Sequence, residues 1–136
     1  MSSTPAFVAT PKVTPQSWTN SDSANTKKTI CTAGSGGSKV VAILAASTDS
    51  SARVFQIFLT RSATDYLLGA LSVPITAGSD GTTSAANLLA LIPGLPLDND
   101  GQRYLFLENG DVLKANNVTQ VTSAKEIDVT VIFGNF

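Results

Sequence analysis

The chain has 136 residues, nine basic and ten acidic, for a formal net charge of -1. Nucleic-acid binders displace phosphate counterions with a basic surplus, which this chain lacks; its Lys27-Lys28 pair reads as a solvated strand end. The absence of histidine removes the commonest general base and the commonest zinc ligand, and a single cysteine, Cys31, excludes an intrachain disulfide and a cysteine-based zinc site.

The opening residues, MSSTPAFVATPKVTPQSW, hold no basic segment leading into an apolar run, so no secretory signal is expected. The longest apolar run, near VVAILAA, falls far short of the ~18 residues that span a bilayer. Both features predict a soluble protein made in the cytoplasm, with no membrane partner. Pro5, Pro11 and Pro15 interrupt any helix or ladder, and Ser, Thr and Asn fill most of the rest of residues 1–25. The segment is expected to be an extended N-terminal arm, ahead of a folded domain over residues 26–136. Phe7, Val8, Val13 and Trp18 are its candidate protein-interface residues, because large apolar side chains on an arm need a surface to pack on. That surface is either the arm's own domain or a neighbouring subunit; a disordered arm is the third reading.

From residue 26 the pattern is β. TKKTICTA is rich in β-formers and ends at GSGGS, residues 34–38, which reads as a flexible loop; Cys31 is expected as a small buried hydrophobe. KVVAILAAS follows as a nearly continuous apolar run, then STDSS marks a turn. In ARVFQIFLTR, Phe55, Ile57 and Leu59 share one face, as a half-buried strand requires. A short SATD turn leads into YLLGALSVPI, where Pro74 ends the strand or places it at an edge. TAGSDGTTS is a loop, and NLLALIPG has one or two helical turns stopped by Pro93. QRYLFLE, VLKANN and IDVTVIFGNF complete the series; in the last, Ile127, Val129, Val131 and Phe133 alternate with other residues. Seven or eight short antiparallel strands between Gly, Ser, Asp and Pro turns predict an all-β sandwich of jelly-roll or Greek-key type.

LIPGLPLDNDGQRYLFLENGDVLKA, residues 91–115, raises the question of a metal. Taking Gly101 as the glycine of an EF-hand loop puts Asp98 and Asp100 at ligand positions. The same register puts Pro96 at the first ligand position and Leu107 where the bidentate glutamate belongs, with Glu108 one residue late. The stretch therefore reads as an acidic turn, and a looser calcium site at Asp98 and Asp100 is a minor alternative. Asn109-Gly110 between apolar runs predicts a two-residue hairpin loop, with Glu108 and Asp111 flanking it in solvent. GSGGSK lacks the spacing of a phosphate-binding loop, and no G-x-S-x-G accompanies the serines. No catalytic, cofactor-binding or metal-binding set emerges, so no enzyme and no cofactor are expected.

The succession GSKVVAILAASTDSSARVFQIFLTR, YLLGALSVPITAGSDGT and NLLALIPGLPLDNDGQRYLFLENGDVLKA, then a closing β-rich segment, resembles small virion proteins encoded among the head genes of tailed bacteriophages. The resemblance covers about four-fifths of the chain. It implies a bacteriophage virion component with a β-sandwich fold, some relatives being capsid cement or decoration proteins. By that resemblance the partner is the major capsid protein, the chain is a homodimer or homotrimer, and its location is the virion. A different class of function is a tail- or fibre-associated sandwich that recognises a host glycan through an exposed aromatic such as Tyr66 or Trp18.

Overall fold

A computed structural model of the chain describes residues 8–136. Nine strands occur among them: β1 (Thr10–Thr19), β2 (Lys27–Thr32), β3 (Ser38–Ser47), β4 (Arg53–Arg61), β5 (Thr64–Val73), β6 (Ala86–Asn87), β7 (Leu105–Leu107), β8 (Val112–Asn117) and β9 (Glu126–Asn135). One 3-10 turn spans Leu88–Leu91, stopped ahead of Pro93. Among the described residues no helix is long and apolar enough to cross a membrane.

Every strand pairing is antiparallel. The first sheet has the order β1-β9-β3, with β6 and β7 both pairing along the far side of β3; the second has the order β2-β8-β4-β5. β6 meets Leu44 and Ala45, while β7 meets Ser38 to Val40. They are two halves of one strand position, interrupted by the excursion over residues 88–104. Counted so, eight positions fall four to a sheet, and successive strands cross between the sheets except at the β4–β5 hairpin, which is the jelly-roll arrangement.

Period-two alternation decides which side chains meet between the sheets. Ile127, Val129, Val131 and Phe133 of β9 point inward, as do Phe55 and Ile57 of β4 and Leu113 and Ala115 of β8. Cys31 joins this core, and burial pushes its thiol pKa up to about 12.

Several expectations need correction. The boundary at residue 25 does not separate an arm from the sandwich. β1 pairs with β9 over its whole length, from Thr10↔Asn135 to Thr19↔Glu126. Trp18, expected on an interface, is fully buried, stacks edge-on against Phe55 at 5.0 Å, and donates its indole N–H to the Thr26 carbonyl at 2.9 Å. Pro11 and Pro15 are compatible with the ladder because β1 is an edge strand, where every second N–H points away from the sheet.

The Asn109-Gly110 turn is not a hairpin. β7 and β8 lie in different sheets, and only Gly110 of the two turn residues takes a positive φ, 87°. The turn closes through the Asp111 N–H to the Glu108 carbonyl at 3.0 Å and carries the chain across the sandwich. Asp111 is buried, not solvated. The GSGGS loop is packed as well: Gly37 has φ 86°, and a Cβ there would lie 2.8 Å from the Leu107 carbonyl oxygen.

Candidate interaction surface

Two buried carboxylates clamp the two ends of the sandwich. Asp49, in the β3–β4 turn, accepts from Arg53 Nε at 2.8 Å, Thr122 Oγ1 at 2.8 Å, and the N–H groups of Thr122 and Ser51 at 3.0 Å each. Its carbonyl accepts the Thr76 N–H, so three connections meet there. Burial alone would raise its pKa, but the Arg53 guanidinium and the Thr122 and Ser51 donors outweigh that and hold the carboxyl far below the usual range. At the other end Asp111 takes a two-pronged ion pair from Arg61, with both contacts at 2.7 Å, and accepts the Glu108 N–H at 2.8 Å. The Arg61 guanidinium lowers the Asp111 pKa. Both carboxylates are fully engaged by donors, which suits a structural role rather than proton transfer.

Asp98 is likewise committed. Its Oδ1 accepts the N–H groups of Asp100 and Gln102, both at 2.9 Å, closing the turn that the sequence suggested. Among the described residues no group of three His, Cys, Asp or Glu side chains is placed to hold a metal ion.

The two outer faces of the sandwich differ. The second sheet presents Lys27, Lys114, Asp65, Gln56 and threonines, interspersed with Phe58 and the exposed Val54 and Leu67. Lys27 bonds Asp65 at 2.8 Å and sits 4.1 Å from the Phe58 ring centroid. Charged groups are spread across the middle of this face.

The outer face of the first sheet is apolar over most of its area. Residues alternating with the buried ones place Val13 and Pro15 of β1 beside Ile132 and Thr130 of β9, then Ala42 and Leu44 of β3. A bulge in β3 adds Val41 as an extra exposed residue. At one end Phe106 pairs with Lys39 across β7 and β3. Phe106 stacks against Tyr104 at 5.0 Å and against Phe136 at 5.9 Å, and the Lys39 ammonium lies 4.8 Å from the Tyr104 ring centroid. Phe106 is 56% exposed and Val13 64% exposed. Charges are confined to the margins: Lys39 at the aromatic end, Glu126 and Asp128 at the other. A contiguous apolar face of this kind marks an interaction site more often than a solvated surface.

Of the four sequence candidates, Val13 lies on this face. Val8 lies over it: a Cβ on Gly134 would overlap Val8 Cγ1, so only glycine accommodates that side chain. Trp18 lies in the core, and Phe7 falls outside the described residues. The sequence reading missed Val41, Phe106 and Phe136. Tyr104 and Phe106 carried a signal, being two residues apart on one β-like segment.

No protein-family model matches the chain, and no curated protein matches it. Among solved structures, a chain of the cyanophage Pam1 capsid asymmetric unit is similar at 14% identity and TM-score 0.47, covering 100% of this chain and 94% of that one. A chain of the virus-like particle of the extra small virus of the giant freshwater prawn Macrobrachium rosenbergii is similar at 10% identity and TM-score 0.26, covering 100% and 86%. The strand order, not these likenesses, carries the fold assignment.

Proposed function

We propose that this chain is a non-enzymatic structural protein of a bacteriophage virion, binding the major capsid protein of the assembled capsid as a cement or decoration protein. The observation that carries the reading is the apolar outer face of the first sheet, with its Tyr104–Phe106–Phe136 cluster and marginal charges. The head-protein resemblance of residues 26–136 supplies the partner.

The physical effect is linkage. A chain that binds the assembled shell, and not its separated subunits, shifts the equilibrium toward the shell. Many copies make modest contacts collectively large. Aromatic side chains suit such a face because they bury large areas with few rotatable bonds. The residues with chemical potential are otherwise employed: Asp49, Asp98 and Asp111 hold loops, and Cys31 is enclosed.

The test is binding of the purified full chain to capsids of the virus that encodes it, prepared without this protein. Phe106→Ser with Val13→Ser is expected to lower affinity by about tenfold or more, without unfolding the chain, because both side chains are exposed. Full occupancy by the double variant in electron micrographs would remove the basis for the proposal. The glycan-binding alternative has lost Trp18 to the core and retains Tyr66 as an exposed aromatic; a glycan array decides it separately.

A further inference from the structure

Two sheets have four edges, and an edge strand offers unpaired N–H and C=O groups to any strand that approaches. Three of the four are closed. β1 is closed on its free side by chemistry. Pro11 and Pro15 carry no N–H, and the alternation they set puts residues 11, 13, 15, 17 and 19 on that side. The Ser17 N–H is taken by Gln16 Oε1 at 3.1 Å, the Thr19 N–H by Asp22 Oδ2 at 3.0 Å, and the Ser17 carbonyl by Lys28 Nζ at 2.6 Å. Among these residues Val13 has the one open N–H, and the carbonyls of Pro11, Val13 and Pro15 face outward without a partner. β2 is short, and the Thr29 and Thr26 carbonyls are capped by Gln16 Nε2 and by the Trp18 indole. The fourth position of the first sheet is split into β6 and β7, of two and three residues.

β5 differs on each count. It runs ten residues, from Thr64 to Val73, without a proline and with one charge, Asp65, already bonded to Lys27. Among the described residues none of its backbone groups has a hydrogen bond outside the ladder to β4. The two-residue loop Ser62-Ala63, with φ 52° and 63°, makes Arg61 and Thr64 the hydrogen-bonded pair of the hairpin. Alternation then points the N–H groups of Asp65 and Leu67 away from β4 and, past a bulge at Leu68, those of Ala70 and Ser72. Tyr66 and Leu67 are 55% and 56% exposed.

We infer that β5 pairs with β5 of a second copy of this chain, antiparallel about a two-fold axis, fusing the two four-stranded sheets into one of eight strands. A second copy offers one long open edge, the same one, so the contact that satisfies both is isologous. The sequence is compatible with itself. Centring the pair between residues 68 and 69 matches the outward positions on both sides of the Leu68 bulge and sets Asp65 opposite Ser72 and Leu67 opposite Ala70, so no like charges meet. The inference stands independently of the capsid proposal.

Sedimentation of the full chain tests it across concentrations spanning about 1–100 µM. The wild type is expected to dimerise. Leu67→Pro removes one outward N–H and leaves the β4 ladder, and Leu67→Lys sets a lysine on the open edge, where it disfavours strand addition. Each is expected to weaken dimerisation about tenfold or more while the far-ultraviolet spectrum is retained. Val13→Pro, which closes the last open N–H of the β1 edge, is expected to leave the dimer intact. A wild type that stays monomeric overturns the inference, as does a folded Leu67→Lys chain that dimerises like the wild type. If Leu67→Pro fails to fold, Leu67→Lys decides.

Discussion

Asp49→Ala tests whether the clamp at the β3–β4 turn holds the sandwich together. Asp49 is fully enclosed and receives contacts from Arg53, Thr122 and the Ser51 amide, at 2.8–3.0 Å apart from a longer second Arg53 contact at 3.5 Å. Alanine leaves the Arg53 guanidinium, whose side chain is 14% exposed, with the Thr122 hydroxyl alone, at 2.8 Å. It also orphans the Ser51 and Thr122 N–H groups. Breaking a buried ion pair by removing one partner costs about 3–5 kcal/mol, against a whole-domain stability of roughly 5–15 kcal/mol. For a domain of this size that loss corresponds to a fall in melting temperature of about 10–20 °C. Thermal unfolding followed by circular dichroism reads it directly. Asp49→Ala with Arg53→Met is expected to be less destabilised than the sum of the two single variants, because it leaves no uncompensated charge. A melting temperature for Asp49→Ala within about 3 °C of wild type would refute the reasoning.

Replacing Ser62-Ala63 by Asn-Gly is expected to stabilise the chain by about 1 kcal/mol or more in urea unfolding, since two non-glycine residues now hold left-handed conformations there. A neutral or destabilising result would mean that those φ values are not strained. Stability is also expected to be flat between about pH 8 and 5, because the chain has no histidine, and to fall below about pH 4. The sign follows from Asp22, Asp49, Asp65, Asp80 and Asp111, whose folded pKa values all lie below the ordinary one, that of Asp80 at about 2 under the Thr82, Thr83 and Thr76 donors. Their contribution is present above the unfolded value and is lost as pH falls through the folded values; a urea midpoint that drops between pH 7 and 5 would contradict it.

The strands with clean alternation were legible. Phe55, Ile57 and Leu59 of β4, and Ile127 to Phe133 of β9, face inward as their spacing predicts, although Leu59 is only partly buried. β1 reads as an arm when its prolines are weighed only as breakers. Their even separation, Pro11 to Pro15, was the usable signal: it lets both face the free side of an edge strand. Asn109-Gly110 misled because turn chemistry is local, whereas partnership of the flanking strands is not. β7 goes to β3 and β8 goes to β2 and β4, a choice made by burial of Leu107 and Leu113 on opposite sheets. Among the described residues the one tight hairpin, at Ser62-Ala63, carries no such signal and is imposed by the ladder around it. The aromatic cluster was invisible for the same reason: Phe136 meets Phe106 only because β9 and β7 flank the same end of β3.

The two proposed surfaces have a geometric relation that yields a last prediction. An antiparallel strand pair within one continuous sheet is related by a two-fold axis perpendicular to that sheet. Such an axis does not exchange the faces of the sheet. In a β5–β5 dimer both copies of the first sheet therefore lie on the same side, and both apolar outer faces point the same way, apart from the sheet twist. The dimer can then engage a shell through two faces at once, and the second contact forms at the effective concentration set by the rigid fused sheet. Leu67→Pro leaves Phe106, Val13 and Val41 untouched, so a single face binds as before. Retention on capsids is nonetheless expected to fall by about tenfold or more, through faster dissociation and with little change in association. A surface-capture experiment that follows dissociation separates the cases. If the monomeric variant leaves the shell as slowly as wild type, the two surfaces do not act together. If Phe106→Ser on both copies costs far more than it does on one copy of a mixed dimer, they do.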